Sequence, residues 1–541
     1  MHTQPPPRLR FTLAAAALAL ALLAPAAPAA TPQWTLTTDT GIEFQRLTPL
    51  GTLLVGTDGL LGCVDPATGQ WQWKREDLKK FKECNYDEIA NTPYGLLEVG
   101  AGPGGIQKHV EVVDLATGQK KWDSEPLPMN GSQGLFQAPA RRMLVLFGVP
   151  KKGNKPVTVG VDTETGEMKW QQDRLFEKPL RLFEVKGSGK IFKRFSVDGN
   201  QPPVFDTENS MIVWLTEDGP TRINLDTGER AWVCDALKGK EPAALRDGYC
   251  GMLLAGGVVY VPYEKSLQAI DAQTGKLLWA KEKDFKGRVV QLEMAPQGLV
   301  VRGAPTLNDK GKLNGKAYID VLDPKTGLSV WAKPFKDLDD ATSFELRGDK
   351  IYIAADGELH EIGLADGAAR AISKYKFKEH EVPTMLELRD EGFLLSSDQT
   401  LMMLDTNGGQ KYLSYFEAPS FSGWMKLGVG LLTTALNAAS AAAAQQQANA
   451  TGMTQTYYLS GNPTLGKRFR ATTQAEDFTY ILTTVTGDGK KGPGLVKVSK
   501  SSGQAVKQLR LGDKTPEYVT DSIEGRVFFM KDDRTIEGYA M

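Results

Sequence analysis

The sequence is poor in the residues from which most catalytic and metal sites are built. Its 541 residues include only four histidines and four cysteines. HExxH, GxSxG and Walker A sequences are missing, which excludes the motifs of common zinc proteases, serine hydrolases and nucleotide-binding proteins. An excess of charge is missing too, because the formal net charge is −1. The chain therefore lacks the electrostatic signature of a nucleic-acid-binding protein.

The remaining composition is that of an ordinary globular protein. Hydrophobic residues make up 41% and charged residues 24% of the chain. These values exclude a disordered tail protein, a collagen and a polytopic membrane protein. The length permits three or four domains, or one large domain.

The N-terminus predicts export. Two arginines precede the apolar run Phe11–Ala24, and small residues continue to Ala30. This pattern is typical of a cleaved secretory signal, here residues 1–30. The run is short for a bilayer span of about 20 residues, although an uncleaved anchor is the alternative. The first cysteine is Cys63, far from the cleavage site, which argues against a lipoprotein anchor. We expect the mature chain, residues 31–541, to be periplasmic or secreted and to have no transmembrane span.

The four cysteines form two pairs that are close along the chain. An even number of cysteines in an exported protein favours disulfide bonds. We expect Cys63–Cys84 and Cys234–Cys250, although four cysteines allow three pairings. A metal site is the alternative, but no CxxC motif or neighbouring histidine cluster supports it.

One short string recurs along the chain. It has the frame D-x-x-T-G-x-x-x-W and appears near-complete at 65–73, 114–122, 162–170, 224–232, 271–279 and 323–331. Weaker copies without the tryptophan contain Gly367, Gly409 and Gly503. The glycines of the six stronger copies are 47 to 62 residues apart. A period near 50 residues predicts a propeller or another stacked array.

The residues around each copy predict antiparallel hairpins. Alternating runs rich in Val, Ile, Tyr and Leu precede the motif and are typical of strands. The motif glycine can adopt the positive φ of a bulged hairpin turn, and the Asp can accept hydrogen bonds from turn amides. A tryptophan at one fixed place per repeat is suited to a wedge between neighbouring sheets. We therefore expect an all-β fold, a closed propeller of four-stranded antiparallel blades.

The two ends of the chain predict ring closure. The last repeat ends at the C-terminus with two strands, whereas PQWTLTTD near the mature N-terminus supplies an isolated strand with Trp34. We expect this strand to join the last sheet, because closure removes exposed edges. The number of blades is predicted as eight or more, since the weaker copies could also be hairpins inside other blades.

One segment interrupts the repeats. Residues 423–450 are rich in Ala, Leu and Gln, which are good helix formers. We expect a helical insertion there. It could lie on its own propeller or bind a partner or a membrane surface. A disordered Ala/Gln-rich loop is the remaining alternative.

Candidate chemistry is sparse. The histidines His109, His360 and His380 fall in different repeats, and we interpret them as surface or packed residues. The glycine-rich stretches 101–108 and 486–494 lie between strands and predict hairpin loops. The basic run 74–82 predicts a solvated face, with an acidic-partner site as the alternative. No catalytic or metal-binding residue is assigned, and cofactor-binding residues stay unknown.

The six motif copies resemble the pyrroloquinoline-quinone-type β-propeller repeat of the quinoprotein-dehydrogenase-like superfamily. For a dehydrogenase, the resemblance implies a quinone and a calcium ion near the propeller axis, often beside an adjacent Cys-Cys disulfide. This sequence has no Cys-Cys dipeptide. The repeats are also similar to those of the non-enzymatic outer-membrane-assembly-factor branch, for which the resemblance implies partner binding through exposed loops.

The sequence thus favours a protein-binding or scaffold propeller of the periplasm or cell envelope. We expect a monomer with a protein partner and no cofactor. A dehydrogenase dependent on pyrroloquinoline quinone and calcium is the first alternative, and a small-ligand-binding propeller is the second. Whether the protein is an enzyme stays open, although the scarcity of histidine and the missing Cys-Cys pair favour a negative answer.

Overall fold

The computed structural model describes most of the chain after residue 30. The described ranges are 31–90, 92–100, 109–152, 157–173, 175, 203–214, 218–240, 250–263, 265–285, 287–307, 313–336, 338–419, 477–487, 490–512 and 516–541. The predicted signal, residues 1–30, and the predicted helical insertion, residues 423–450, lie outside these ranges. Within them the structure is β throughout, apart from short 3-10 turns at Glu83–Asn85, Pro139–Arg141, Asp235–Leu237 and Lys378–His380.

Ten antiparallel sheets form the blades of a propeller. Nine of them have four strands and one has three. The chain opens with β1 (Trp34–Thr37), and the next five blades follow in order. Blade 1 has β2 (Ile42–Leu47), β3 (Leu53–Thr57), β4 (Leu61–Val64) and β5 (Trp71–Arg75); blade 2 has β6 (Tyr86–Glu88), β7 (Tyr94–Val99), β8 (His109–Asp114) and β9 (Lys120–Asp123); blade 3 has β10 (Met129–Ala138), β11 (Met143–Pro150), β12 (Val157–Asp162) and β13 (Met168–Asp173); blade 4 has β14 (Val204–Thr207), β15 (Ser210–Val213), β16 (Thr221–Asn224) and β17 (Arg230–Val233); blade 5 has β18 (Leu253–Ala255), β19 (Val258–Tyr263), β20 (Ser266–Asp271) and β21 (Lys283–Asp284).

The second half of the ring repeats the pattern. Blade 6 has β22 (Arg288–Ala295), β23 (Gly298–Ala304), β26 (Tyr318–Leu322) and β27 (Phe335–Lys336), with the small hairpin β24 (Thr306–Leu307) and β25 (Leu313–Asn314) inserted; blade 7 has β28 (Glu345–Arg347), β29 (Lys350–Ala355), β30 (Glu358–Gly363) and β31 (Ala369–Lys374); blade 8 has β32 (Met385–Arg389), β33 (Gly392–Ser396), β34 (Thr400–Leu404) and β35 (Gln410–Tyr415); blade 9 has β36 (Phe478–Gly487), β37 (Lys490–Ser499) and β38 (Ala505–Arg510); blade 10 has β39 (Glu517–Asp521), β40 (Arg526–Asp532), β41 (Thr535–Ala540) and β1.

The ring is closed by strands from the two ends of the chain. Strand β1 pairs antiparallel with β41, from Trp34 opposite Gly538 to Thr37 opposite Thr535. The hydrophobic core also indicates a closed ring. Its buried residues form ten clusters, and one cluster lies at each junction between neighbouring blades. Ten junctions for ten blades require a closed ring. The predicted closure is confirmed, and ten blades satisfy the prediction of eight or more.

The motif turn is built as predicted. In blade 1, Asp65 Oδ1 accepts hydrogen bonds from the backbone N–H groups of Ala67 at 2.7 Å and Thr68 at 3.1 Å. Gly69 has φ +71°, a conformation that other residues rarely adopt. The register shifts by one residue beside the turn, between Cys63 and Val64. The Asp-x-x-Thr-Gly string is therefore a bulged hairpin turn between the third and fourth strands.

The tryptophan of each complete repeat joins two blades. The Trp73 ring of blade 1 lies against Gly118 in the turn of blade 2, and its indole N–H donates to the Leu115 carbonyl at 2.8 Å. Six further junctions have the same bond: Trp34 to Pro66, Trp122 to Thr163, Trp170 to Leu225, Trp232 to Ala272, Trp279 to Pro324 and Trp331 to Leu364. The predicted wedge is confirmed, and each tryptophan packs on the glycine of the following blade.

One weak copy differs from its prediction. The turn of blade 8 is one residue shorter than the others, so Gly408, with φ +85°, takes the glycine position that the sequence pattern assigned to Gly409. The aromatic position four residues later is then Tyr412. Its ring packs on Gly503 of blade 9, and its hydroxyl donates to the Lys500 carbonyl.

The first strands of the blades surround the axis. The first strands of neighbouring blades contact each other. Examples are the pairs β2 and β39, β14 and β18, and β28 and β32. The fourth strands form the outer rim, and the motif tryptophans lie on them or, in blades 5 and 6, just before them. The first strands therefore line the axial channel, and the fourth strands face outward at the rim.

Candidate functional site

The four cysteines are free thiols in this structure, so the predicted Cys63–Cys84 and Cys234–Cys250 disulfides are not formed. Cys63 is fully buried between blades 1 and 2 and donates to Thr52 Oγ1 at 3.0 Å, whereas Cys84 is exposed. Cys234 belongs to the junction of blades 4 and 5, and Cys250 to that of blades 5 and 6. Closeness along the chain therefore does not place either pair in one cluster. Burial raises the pKa of Cys63 and of Cys250 to about 12.

The histidines lie apart, as expected. His109 of blade 2 is near Glu111, His360 of blade 7 meets the Phe335 ring edge-on, and His380 is exposed. Burial lowers the pKa of His360. These three histidines therefore do not form a common site.

The stretches of unusual composition are placed only where the structure describes them. Residues 101–108 lie outside the described ranges, but the flanking strands β7 and β8 pair with each other. Of the stretch 486–494, residues 486–487 end β36 and residues 490–494 begin β37, so the described part is paired strand. In the basic run, Arg75 Nη2 pairs with Asp77 and with Glu111, while Lys79 and Lys80 are exposed. The prediction of a solvated face for residues 74–82 is confirmed for these lysines.

The axial channel carries a stripe of carboxylates, Glu293, Glu345 and Glu387, which we call the axial stripe. They lie on the first strands of blades 6, 7 and 8, each two residues before the end of its strand. Glu387 is held by Arg389 Nη1 at 2.7 Å and Lys500 Nζ at 2.8 Å. Burial raises the pKa of Glu293, and burial together with the other two carboxylates raises that of Glu345 to about 7.

The axial stripe has the donor type of a calcium site. Carboxylate oxygens are the ligands that Ca²⁺ prefers. Within the described ranges, however, no group of three or more His, Cys, Asp or Glu side chains is placed to hold a metal ion. The described residues thus supply carboxylates, but these do not converge on one point as calcium ligands must. They do not fit a calcium ion.

Glu345 gives a pH-dependent prediction. As pH rises, this carboxyl ionises near its ordinary value of 4.5 in the unfolded chain but near 7 in the fold. The unfolded state is therefore favoured progressively between these pH values, and the free energy of unfolding falls. We expect Glu345→Gln to raise the melting temperature at pH 8 and to leave it unchanged at pH 4.

Thermal unfolding followed by circular dichroism across this pH range measures the effect. Glu517→Gln is the matched control, because Glu517 is exposed on the first strand of blade 10. An equal gain for Glu345→Gln at both pH values would contradict the assignment.

The outer rim has an apolar surface on two neighbouring blades. Leu278 of blade 5 is 40% exposed, and Leu328 and Val330 of blade 6 are 68% and 41% exposed. We call these three residues the rim patch. The other large apolar side chains with similar exposure in the described ranges lie on blades 3, 8 and 9: Met168, Val382, Met385, Phe478 and Val506.

Two contacts make the rim patch one surface. Trp279, next to Leu278, packs on Gly327, next to Leu328. Lys283 of blade 5 donates to Ser329 Oγ at 2.9 Å, so a second bond crosses the same junction. The two apolar segments are thus fixed relative to each other.

A buried acid anchors the second contact. Ser329 Oγ donates to Asp320 Oδ2 at 2.6 Å, and Lys283 Nζ lies 3.7 Å from the same oxygen. Asp320 is 1% exposed, and burial raises its pKa although Ser329 and Lys283 act in the opposite direction. The Lys283–Ser329–Asp320 chain therefore holds the rim of blade 5 to that of blade 6.

Sequence reasoning missed the rim patch, although its signal is in the repeats. The third residue after the motif glycine is polar or small in the first four copies, namely Gln72, Lys121, Lys169 and Ala231. It is Leu278 and Val330 in the next two. Superposing the copies on their glycines would have shown that two consecutive blades replace a polar rim position by a large apolar residue.

No helix in the described part of the chain has the length and apolarity needed to cross a membrane.

Comparisons with known proteins point to the same repeat. A family model described as outer membrane protein assembly factor BamB matches residues 106–314. No curated protein matches the chain significantly. The structure of BamB from Moraxella catarrhalis aligns at 12% identity over 71% of this chain and 100% of its own, with a TM-score of 0.34.

Two oxidoreductases are similar to the same extent. Quinohemoprotein alcohol dehydrogenase from Comamonas testosteroni aligns at 12% identity over 72% of this chain and 78% of its own, with a TM-score of 0.33. Quinohemoprotein alcohol dehydrogenase ADHIIG from Pseudomonas putida HK5 aligns at 12% identity over 69% and 72%, with a TM-score of 0.30. Similarity at this level does not establish a shared function.

Proposed function

We propose that this protein, a β-propeller of PQQ-type repeats, is a protein-binding scaffold of the cell envelope. The rim patch carries the proposal. Leu278, Leu328 and Val330 are exposed together on neighbouring blades. Exposed apolar residues grouped on neighbouring elements are a feature of protein-interaction sites.

Two observations support the envelope as the compartment. Residues 1–30 predict an export signal. The family model that matches residues 106–314 is described as an outer membrane protein assembly factor. A scaffold needs no converging catalytic groups, and its partner would bind the surface that the closed ring presents.

The second candidate function is a dehydrogenase dependent on pyrroloquinoline quinone and calcium. The axial stripe supplies the type of donor that this function needs, but its three carboxylates do not converge into a metal site within the described ranges. Glu345 and Glu293 have no hydrogen-bond or ion-pair partner among the described residues. The two functions predict different ligands at different surfaces, so one pair of experiments separates them.

The first experiment is site-specific photo-cross-linking in intact cells. A photo-reactive phenylalanine analogue is placed singly at Met168, Leu328, Met385 or Val506, which are exposed on blades 3, 6, 8 and 9. A scaffold gives a discrete adduct with an envelope protein, and we expect it at Leu328.

The second experiment is a titration of the mature chain with pyrroloquinoline quinone and Ca²⁺, followed by quinone absorbance. Absence of an adduct at every position would overturn the scaffold, and saturable micromolar quinone binding would then support the dehydrogenase.

A further inference from the structure

We propose that the rim patch binds an extended polypeptide segment that carries both apolar side chains and carboxylates. This inference rests on the proposed scaffold function and names the chemistry of the partner. The docking surface consists of segments 276–284 of blade 5 and 325–336 of blade 6. Their apolar members are Leu278, Leu328 and Val330.

Unpaired positive charge surrounds the apolar side chains. Five exposed lysines lie on the two segments, and among the described residues none of their ammonium groups has an ion pair or hydrogen bond: Lys276, Lys281, Lys325, Lys333 and Lys336. Some fourth-strand cations of other blades are instead paired within the chain. Arg75 pairs with Asp77 at 2.5 Å, Lys120 with Asp123 at 2.7 Å and Arg370 with Glu361 at 3.0 Å.

The carboxylates of the same region are already occupied. Asp271 and Asp323 accept hydrogen bonds from their own turn amides, at 2.7 Å from Thr274 N–H and 2.8 Å from Lys325 N–H. Asp284 accepts from Ser266 at 2.7 Å. Glu282 likewise accepts from the Tyr263 hydroxyl. The two segments carry six lysines and only two acids, Glu282 and Asp284, which already accept hydrogen bonds. The surface is therefore positively charged, and an acidic segment is the complementary ligand.

The backbone of the two segments favours an extended ligand. The fourth strands β21 and β27 have two residues each, whereas those of the other blades have four to six. No ladder pair joins residues 279–282 to β20, or residues 331–334 to β26. Among the described residues, the backbone N–H and C=O groups of these two stretches have no hydrogen bond, except the Trp279 carbonyl, which accepts from Gln268 Nε2 at 3.4 Å. An added strand can pair with such groups, whereas an anionic membrane surface cannot supply a matching ladder.

The probe is a fluorescein-labelled peptide in which leucine or valine alternates with glutamate. The control peptide has lysine in place of glutamate. Fluorescence anisotropy measures binding of each to the mature full-length chain. We expect saturable binding of the acidic peptide and none of the basic one.

Two variants test the two components of the surface. Lys281→Glu combined with Lys325→Glu and Lys333→Glu should weaken peptide binding by about tenfold or more, since three attractions become repulsions. Leu278→Ser combined with Leu328→Ser should weaken it by about tenfold through lost apolar contact. All five side chains are exposed, so we expect the melting temperatures to stay unchanged.

Matched controls exist on other blades. The combined variant Lys74→Glu, Lys79→Glu and Lys80→Glu makes the same charge change on blade 1. Val506→Ser removes an exposed apolar residue on blade 9, and Val506 follows its motif glycine by three residues, as Leu278 does. Both controls should bind the acidic peptide as wild type does. If the blade 1 variant weakened peptide binding as much as the rim charge variant, the effect would be one of net charge, and the proposed site would be overturned.

The remaining outcomes are also decisive. Absence of acidic-peptide binding would overturn the inference. The protein could instead sediment with phosphatidylglycerol vesicles in a lysine-dependent way and bind no peptide. That result would assign the surface to a membrane and would also overturn the inference. If cross-links form at Met168, Met385 or Val506 but the rim variants change nothing, the scaffold function stands and this inference fails. If no position cross-links, the scaffold function itself fails.

Discussion

Removal of Pro32–Asp39 is expected to open the ring and cause aggregation. The deletion takes away β1, and with it the fourth strand of blade 10 and the edge protection of β41. It also removes the Trp34 ring from Gly69 and the 3.0 Å hydrogen bond from Trp34 to the Pro66 carbonyl. Losing the buried Trp34 side chain alone should cost about 3–5 kcal/mol. A free β41 edge can then pair with another chain.

Differential scanning fluorimetry and light scattering measure the two consequences. We expect a melting temperature lower by about 5 °C or more and concentration-dependent scattering on heating. A chain that lacks only Thr31 and Pro32, both exposed and before β1, is the matched control. Trp34→Ala separates the lost wedge from the lost strand, since it keeps the backbone pairing of β1. A truncated protein as soluble and as stable as the control would refute closure by β1.

The closure and the blades could be predicted because they follow from local chemistry. A glycine that needs positive φ, an aspartate that caps the turn and a strand-forming run before them are visible within about ten residues of sequence. The direction of the wedge was not visible. Spacing places Trp73 four residues after Gly69, but only the packed ring shows that it lies on Gly118 of the next blade.

The sequence predictions that were wrong also have local causes. The shorter turn of blade 8 moves the glycine from Gly409 to Gly408, which then places Tyr412 in the aromatic position. A fixed nine-residue frame cannot detect a turn that has lost one residue. The cysteine pairing failed because Cys234 and Cys250 are close along the chain but pack at different blade junctions.

The candidate site was less predictable than the fold. Charge and exposure are properties of a surface, and a surface of two blades is assembled from segments about 50 residues apart. The structure adds that the two segments are adjacent, because Trp279 packs on Gly327 and Lys283 donates to Ser329. Nothing in either segment alone indicates that Leu278 and Leu328 lie on one surface.

Substitution of the motif glycine is expected to have the second large effect. Gly275 has φ +71°, and a Cβ added there would lie 2.6 Å from Cδ2 and Cε3 of Trp232. Gly275→Ala should cost about 1–2 kcal/mol for the left-handed backbone and about 1–3 kcal/mol more for the displaced ring. Gly275→Val should cost more again, because a β-branched residue resists positive φ. Thermal and denaturant unfolding measure both.

Gly257 separates the two causes of that loss. Its φ is +76°, nearly that of Gly275, but a Cβ added there would meet nothing within 4 Å. Gly257→Ala should therefore show the backbone cost alone, and the excess cost of Gly275→Ala measures the wedge. That excess should disappear when Trp232 is replaced by leucine, because the two residues are coupled only through their contact. An excess of the same size in both backgrounds would show that the tryptophan does not require the glycine, and the docking model of the repeat would then be wrong.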